Sequence, residues 1–273
     1  MDFALKQMDI GAGRRIGYRD AGSGPALLLL HGVGSNSQSF DEQLRGLADA
    51  FRVIAWDAPG YGGSDDPLSD TPSAADYGDD AIALLDALGI QSAGVVGHSM
   101  GGLIATALVA RHAQRVAAVV LSSCASGYAR LADDERAARL AGRIDLLREG
   151  GPEGLAASRG PGNCAPGTGP EVIRRVVDIM ARVRPAGYLA GARLLDAEDV
   201  FAHLSCWPRP PPRTLVLVGS HDRTTPPPGS RRIAHALMTA RYQELPNSAH
   251  AGFLEEPDAF NDALRQHFEG AQP

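Results

Sequence analysis

The chain has 273 residues, of which 44% are hydrophobic and 21% are charged, and its formal net charge is −6. This composition is that of a globular domain, and the acidic balance argues against a nucleic-acid partner. No apolar run approaches the roughly 18 residues of a membrane span, and no signal peptide is visible, so we expect no membrane partner. The three cysteines lack paired spacing, which favours free thiols and a cytoplasmic protein.

The first half of the chain alternates strand patterns with helix patterns. Residues 3–9 and 14–20 predict an N-terminal hairpin. Continuous apolar runs predict buried strands at 26–32, 52–58, 92–98 and 115–123. Helical spacing predicts helices at 40–51, 71–90 and 99–113, the second with Thr71 as N-cap and Gly89 at its end. This alternation predicts a mostly parallel, doubly wound sheet with helices on both faces.

The alternation stops after Cys124 and resumes with a strand predicted at 213–220. A helix near 229–240, a strand at 241–245 and a last helix at 257–268 complete the chain. The stretch in between predicts helices near 131–148, 171–183 and 186–197, with a Gly- and Pro-rich irregular segment at 150–170. We interpret residues 125–205 as a helical cap inserted into a core formed by residues 1–124 and 206–273.

A serine stands between two glycines where the strand predicted at 92–98 gives way to a helix, in Gly97-His98-Ser99-Met100-Gly101. This spacing predicts a sharp turn that holds Ser99 in a strained backbone conformation beyond the carboxyl edge of the sheet. Gly97 and Gly101 suit the turn because a β-carbon at either position would crowd the neighbouring strand and helix. Such a turn can also serve packing alone.

A serine hydroxyl needs a base to become a nucleophile, and the base needs a third group to orient it. Asp222 follows the strand predicted at 213–220, and His250 lies in the loop before the last helix. The carboxyl ends of parallel strands meet at one edge of the sheet, so Ser99, Asp222 and His250 are the candidate catalytic residues. Taken singly, Asp222 and His250 could be ordinary loop residues.

An acyl-transfer site also needs two hydrogen-bond donors for the oxyanion of the tetrahedral intermediate. Gly32 and Gly34 allow a tight turn after the strand predicted at 26–32. The backbone N–H of Val33 can then face that of Met100, and these two groups are the candidate oxyanion hole.

Other residues are candidates for shaping the pocket rather than for moving protons. Gly32, His31 and His98 stand at predicted strand ends beside the candidate nucleophile. From the second half of the chain we add three large side chains that could equally belong to the core: Met180, Tyr188 and Trp207.

Five ordered segments resemble the α/β-hydrolase family: HGVG (31–34), DAPGYGGSD (57–65), GHSMGG (97–102), GSHD (219–222) and NSAH (247–250). The resemblance covers essentially the whole chain. It implies the α/β-hydrolase fold, with a mostly parallel doubly wound sheet, N-terminal antiparallel strands and a helical cap. It also implies a hydrolase that uses neither a metal nor an organic cofactor, and it assigns Asp57 to a structural loop near the site.

Within the family the chain is similar to 3-oxoadipate enol-lactonases and small-ester hydrolases, partly through residues 184–200. This similarity implies a serine hydrolase that cleaves a small ester or lactone through an acyl-enzyme, with a carboxylate-bearing enol-lactone among the candidate substrates. Arginine binds both oxygens of a carboxylate, and five cap arginines could reach inward: Arg130, Arg143, Arg182, Arg184 and Arg193.

Three other functions stay open on the same residues. A carbon–carbon bond hydrolase of aromatic ring-fission products shares the serine, acid and histidine set and a helical cap. A cofactor-free perhydrolase shares the same set. A non-catalytic ligand receptor is also possible on this fold, since fold alone does not fix function.

Overall fold

The computed structural model describes residues 3–269, and its strands form one eight-stranded sheet. In chain order the strands are β1 (Lys6–Asp9), β2 (Arg15–Ala21), β3 (Ala26–Leu30), β4 (Arg52–Trp56), β5 (Ala93–His98), β6 (Val116–Ser122), β7 (Arg213–Gly219) and β8 (Arg241–Leu245). The order across the sheet is β1-β2-β4-β3-β5-β6-β7-β8. β1 pairs with β2 and β2 with β4 in antiparallel fashion, and the other pairs are parallel. The predicted α/β-hydrolase fold is confirmed.

Helices cover the sheet and fill the stretch between β6 and β7. In chain order they are α1 (Asp41–Leu47), α2 (Ala74–Ala87), α3 (Met100–His112), α4 (Asp133–Arg159), α5 (Pro170–Met180), α6 (Pro185–Ala197), α7 (Val200–Ser205), α8 (Pro227–Leu237), α9 (Gly252–Glu255) and α10 (Pro257–Phe268). Among residues 3–269 we find no helix long and apolar enough to cross a bilayer.

The central strands β3 to β7 are buried on both faces, as their continuous apolar runs predict. Along β3, Leu28 and Leu30 pack into one hydrophobic cluster, and Leu27 and Leu29 pack into another. Successive side chains of a strand point to opposite faces, so each cluster lies between the sheet and one layer of helices. This layering places the carboxyl ends of the parallel strands at one edge, where the loops that carry the candidate site begin.

The start of α2 differs from the prediction. Its N-cap is Ser73, whose hydroxyl accepts the N–H of Asp76, while the Asp76 carboxylate accepts the N–H of Ser73. This capping box satisfies two N–H groups at once, which explains why Thr71 is not the N-cap. Gly89 has φ +71 beyond the end of the helix, as expected for a glycine that stops it.

The segment predicted as irregular at 150–170 is largely helical. Gly151 has φ 62, which interrupts α4, and Pro152 then begins a second helical stretch that reaches Arg159. Leu155 and Ala156 are fully buried, so tertiary packing outweighs the weak helix propensity of this stretch. A single 3-10 turn, Pro161–Asn163, follows.

Candidate active site

Ser99 lies in a sharp turn between β5 and α3. Its backbone angles are φ 54 and ψ −115, a conformation that a residue with a β-carbon rarely adopts. A β-carbon at Gly97 would collide with the carbonyl oxygen of Gly101, and one at Gly101 would collide with that of Leu30. The crowding expected at both glycines is therefore confirmed. The Ser99 N–H donates to the carbonyl of Ser122 at 3.0 Å, which ties the turn to β6.

Asp222 follows β7, and His250 follows β8. The Nδ1 atom of His250 lies 2.9 Å from Oδ2 of Asp222, and both residues are buried, 6% and 2% exposed. The other carboxylate oxygen, Oδ1, accepts the backbone N–H groups of Thr224 and Thr225 at 2.8 and 2.9 Å. Burial alone would raise the pKa of Asp222, but His250 and the hydrogen bonds from His250 and Thr225 lower it to about 2. Asp222 is thus ionised and can orient the imidazole.

Ser99 and His250 line one cavity of about 80 Å³ between the carboxyl edge of the sheet and the helices inserted after β6. The cavity brings together most of the predicted site residues: Gly32, Val33, His98, Ser99, Met180, Tyr188 and His250. A serine hydroxyl, a histidine bonded to a buried carboxylate and a partly apolar wall are parts that acyl transfer can use.

Val33 and Met100 border the candidate nucleophile from two sides. A β-carbon added at Gly32 would stand 3.1 Å from the Ser99 β-carbon, so the loop after β3 passes directly beside the serine. Val33 follows in that loop and lines the cavity. Met100 is the first residue of α3, where a backbone N–H has no acceptor within the helix. Both residues thus lie beside Ser99, and the role of their N–H groups in holding an oxyanion stays a prediction.

His31 does not line the cavity, so its prediction as a pocket residue is wrong. Its Nδ1 donates to the carbonyl of Gly32 at 2.8 Å, and its Nε2 accepts the N–H of Ala58 at 3.0 Å. Burial lowers the pKa of His31, so the ring is neutral, as this pair of hydrogen bonds requires. Through these two hydrogen bonds, His31 joins the loop after β3 to the loop after β4.

His98 lines the cavity and also holds the loop that carries His250. Its Nε2 donates to the carbonyl oxygen of His250 at 2.9 Å, and the two ring centroids are 4.7 Å apart. Burial, together with the nearby His250, lowers the pKa of His98 to about 3. The ring is therefore neutral and positions the neighbouring histidine.

Trp207 is not a pocket residue, which corrects a second prediction. Its indole N–H donates to the carbonyl of Thr106 on α3 at 2.9 Å, and its side chain belongs to the buried core. Trp207 follows α7, which packs on α3 away from the cavity. The indole N–H needs an acceptor when it is buried, and a backbone carbonyl of α3 supplies one.

Four of the five arginines considered for a substrate carboxylate are bound elsewhere. Arg130 pairs with Asp199, Arg182 donates to Gln38, Arg184 pairs with Asp66, and Arg193 donates to the carbonyl of Asp70. Of the five, Arg143 is the one that lines the cavity.

Arg143 is 8% exposed, and its guanidinium donates to the hydroxyls of Tyr188 at 3.3 Å and Tyr128 at 3.2 Å. Arg159 lines the same cavity, and burial together with the Arg143 charge lowers its pKa. Neither arginine forms a salt bridge with a carboxylate of residues 3–269. Sequence reasoning missed Arg159 because it stands in the stretch predicted as irregular. Two guanidinium groups without a counter-ion favour an anionic group in this cavity.

Comparisons with known proteins identify similar sequences and similar folds. A family model described as the alpha/beta hydrolase fold matches residues 25–257. 3-Oxoadipate enol-lactonase 2 of Acinetobacter baylyi is 28% identical over 88% of this chain and 87% of its own length. The solved enol-lactonase from Burkholderia xenovorans LB400 superposes with a TM-score of 0.84 at 27% identity, covering 96% of this chain and 99% of that one. A thermophilic esterase from Thermogutta terrifontis gives 0.87 at 25% identity, covering 99% and 100%.

Proposed function

Since this chain belongs to the α/β-hydrolase family, we propose that it is a serine hydrolase that cleaves a small ester or lactone. The observation that carries the proposal is the shared cavity of Ser99 and His250, with His250 bonded to the buried Asp222 at 2.9 Å. The similarity to an enol-lactonase and an esterase supports ester or lactone substrates.

The reaction follows from the roles that these groups can fill. Ser99 Oγ attacks the carbonyl carbon while Nε2 of His250 takes its proton, and Nδ1–H keeps its bond to Asp222. The N–H groups of Val33 and Met100 hold the oxyanion. His250 then gives its proton to the departing oxygen, which leaves an acyl group on Ser99. A water molecule, activated by His250, releases the acid and restores the serine.

The substrate that fits best carries a carboxylate. Arg143 is buried against two tyrosine hydroxyls and has no acidic partner among residues 3–269, although a buried charge ordinarily requires one. A substrate carboxylate would supply that partner and would accept both arms of the guanidinium. Arg159 would add to the attraction from the same cavity. The enol-lactonase relatives favour a carboxylate-bearing lactone in particular.

Residues 125–205 act, in this proposal, as a cap on a core formed by residues 1–124 and 206–273. The helices of this stretch, α4 to α7, lie between β6 and β7. They contribute Arg143, Met180 and Tyr188 to the cavity wall that encloses Ser99. A closed wall excludes water from the reaction and sets the shape of the acyl group that fits.

Covalent labelling tests the proposal. We expect a fluorophosphonate probe to modify wild-type protein once, at Ser99, and to abolish ester turnover in proportion to the labelled fraction. The S99A variant should take no label at the same probe concentration. Labelling at another residue, or turnover that survives complete labelling, would contradict a Ser99 nucleophile.

A substrate panel separates ester or lactone hydrolysis from carbon–carbon hydrolysis and from ligand binding without turnover. It comprises p-nitrophenyl esters, lactones and a ring-fission dienoate, each measured as kcat/KM. Preference for an ester or lactone supports the proposal. A hundredfold preference for the dienoate would assign the protein to carbon–carbon hydrolysis. A labelled Ser99 with no turnover on any of these compounds would point to a ligand receptor.

A further inference from the structure

The hydroxyl of Thr225 lies against the acid and histidine pair. Its Oγ1 atom is 2.8 Å from Oδ2 of Asp222, 3.2 Å from Nδ1 of His250 and 2.9 Å from the carbonyl oxygen of Ser123. Three polar atoms therefore surround a hydroxyl that carries one proton. The direction in which that proton points affects the negative charge on Asp222 Oδ2, which faces the His250 imidazole.

The hydrogen bonds of Asp222 decide the direction. Oδ1 already accepts two backbone N–H groups, so Oδ2 is the oxygen that faces His250. The Thr225 hydroxyl has two acceptors within reach, the charged Oδ2 and the neutral carbonyl of Ser123. A hydrogen bond to a charged acceptor is roughly twice as strong as one to a neutral acceptor. Oδ2 therefore accepts two hydrogen bonds, one from the Thr225 hydroxyl and one from Nδ1–H of His250.

We propose that Thr225 is a positioning residue that acts on His250 through Asp222. Its hydroxyl fixes the rotation of the carboxylate, and its hydrogen bond to Oδ2 partly offsets the negative charge on that oxygen. The imidazole of His250 is then less strongly stabilised in its protonated form than it would be beside an unshared carboxylate. Since the neutral imidazole is the base, Thr225 extends activity to lower pH. This inference rests on the proposed function of Ser99, Asp222 and His250.

The surroundings of His250 and its loop also include His98, Arg143, Arg159 and Glu255. The His98 ring is tilted relative to the His250 ring, with the centroids 4.7 Å apart, and its lowered pKa of about 3 keeps it neutral near neutral pH. Arg143 and Arg159 line the same cavity, and both guanidinium groups keep their charge as the pH of the assay is varied. The Glu255 carboxylate on α9 binds the loop of His250 through the N–H of Ala249 at 2.8 Å. The acid limb of the pH profile therefore reports mainly on the pair that Thr225 touches.

The test compares Thr225→Val, which keeps the shape but loses the hydroxyl, with Thr225→Ser, which keeps the hydroxyl. Profiles of kcat/KM against pH are recorded on the best neutral ester. We expect T225V to move the acid limb upward by about half a pH unit and to lower kcat at least about threefold. T225S should keep the wild-type limb. Thr224→Val is the matched control, because the Thr224 hydroxyl bonds Asn163 instead of Asp222.

The proposal is overturned if the acid limb of T225V lies at the same pH as that of the wild type, or at a lower pH. It is also overturned if T224V or T225S shifts the acid limb by as much as T225V does. Melting temperatures show whether each variant folds, and Thr225→Ala provides a smaller hydroxyl-free variant in case T225V does not. The S99A variant is assayed alongside. If S99A keeps its turnover, the proposed function fails; if S99A is inactive and the T225V limb stays in place, only the role of Thr225 fails.

Discussion

Gly191 on α6 lies so close to α3 that a β-carbon at this position would stand 2.8 Å from the sulfur of Met100. The same β-carbon would stand 3.0 Å from Cγ2 of Val33 and 2.6 Å from the hydroxyl of Tyr61. Helix α6 thus packs directly on both residues whose N–H groups would hold the oxyanion. The inserted helices support the candidate site itself as well as covering it.

The Gly191→Ala variant should therefore lower both stability and catalysis. The added methyl group forces α6 away or displaces the loop of Val33, and overpacking of this kind costs about 1–3 kcal/mol. We expect a lower melting temperature and a lower kcat on activated esters. Gly142→Ala is the control, because a β-carbon at Gly142 meets nothing within 4 Å and alanine favours the helix. If G191A keeps the kcat and the melting temperature of the wild type, α6 does not support Val33 and Met100 through close packing.

Arg143 should discriminate between charged and neutral substrates. Arg143→Met removes the charge and keeps the length, so we expect kcat/KM for a carboxylate-bearing lactone to fall at least about tenfold. The neutral methyl ester of the same lactone should change much less. Arg184→Met is the control, since Arg184 pairs with Asp66 outside the cavity. Equal losses on the two substrates, or equal wild-type rates, would rule out a carboxylate subsite.

Asp222 should make stability depend on pH at the acid end. Its pKa is lowered to about 2 in the folded protein from 3.8, so the stabilisation is present above about pH 4 and is lost as the pH falls towards 2. The free energy of unfolding of the wild type should drop by about 2 kcal/mol more than that of Asp222→Asn across this window. Urea unfolding at pH 4, 3 and 2 measures the difference. A difference that does not change with pH would contradict the lowered pKa.

Glu255 should couple the inserted segment to the loop of His250. Its Oε1 accepts the N–H of Ala165 and the hydroxyl of Thr168, both at 2.6 Å, and its Oε2 accepts the N–H of Ala249 at 2.8 Å. Glu255→Gln turns one acceptor into a donor that faces these groups, which costs about 1–3 kcal/mol. We expect a lower melting temperature and a lower kcat, with KM changed less.

Glu153→Gln on the exposed surface of α4 serves as the control for that substitution. It should leave the melting temperature and kcat at wild-type values, because surface substitutions of this type have small effects. If E255Q and E153Q behave alike, the hydrogen bonds of Glu255 do not support the histidine loop.

The sheet and the Ser99 turn could be predicted because their signals are local. Continuous apolar runs mark the strands. Two glycines at fixed spacing mark the turn, because a β-carbon at either glycine position would collide with the backbone. The last helix matches its predicted bounds, 257–268, where Pro257 starts the first turn. The helix of residues 152–159 was missed, because buried contacts of Leu155 outweigh its low propensity.

The pocket could not be predicted to the same degree, because it depends on contacts between distant residues. Arg130 and Arg184 find their partners 69 and 118 positions away, and nothing in the local sequence separates them from Arg143. Trp207 has the large side chain typical of a pocket residue, but its indole N–H donates to a carbonyl of α3. Periodicity identifies buried positions without showing which of them face a cavity.

The most direct test of the account is the turnover number of Ser99→Ala on the best ester of the panel. We expect kcat to fall at least about 10⁴-fold while the melting temperature stays near that of the wild type, since removing a nucleophile of this kind leaves only residual catalysis. Retention of more than about a tenth of wild-type turnover by folded S99A, in a preparation free of other esterases, would contradict the central claim that Ser99 attacks the substrate.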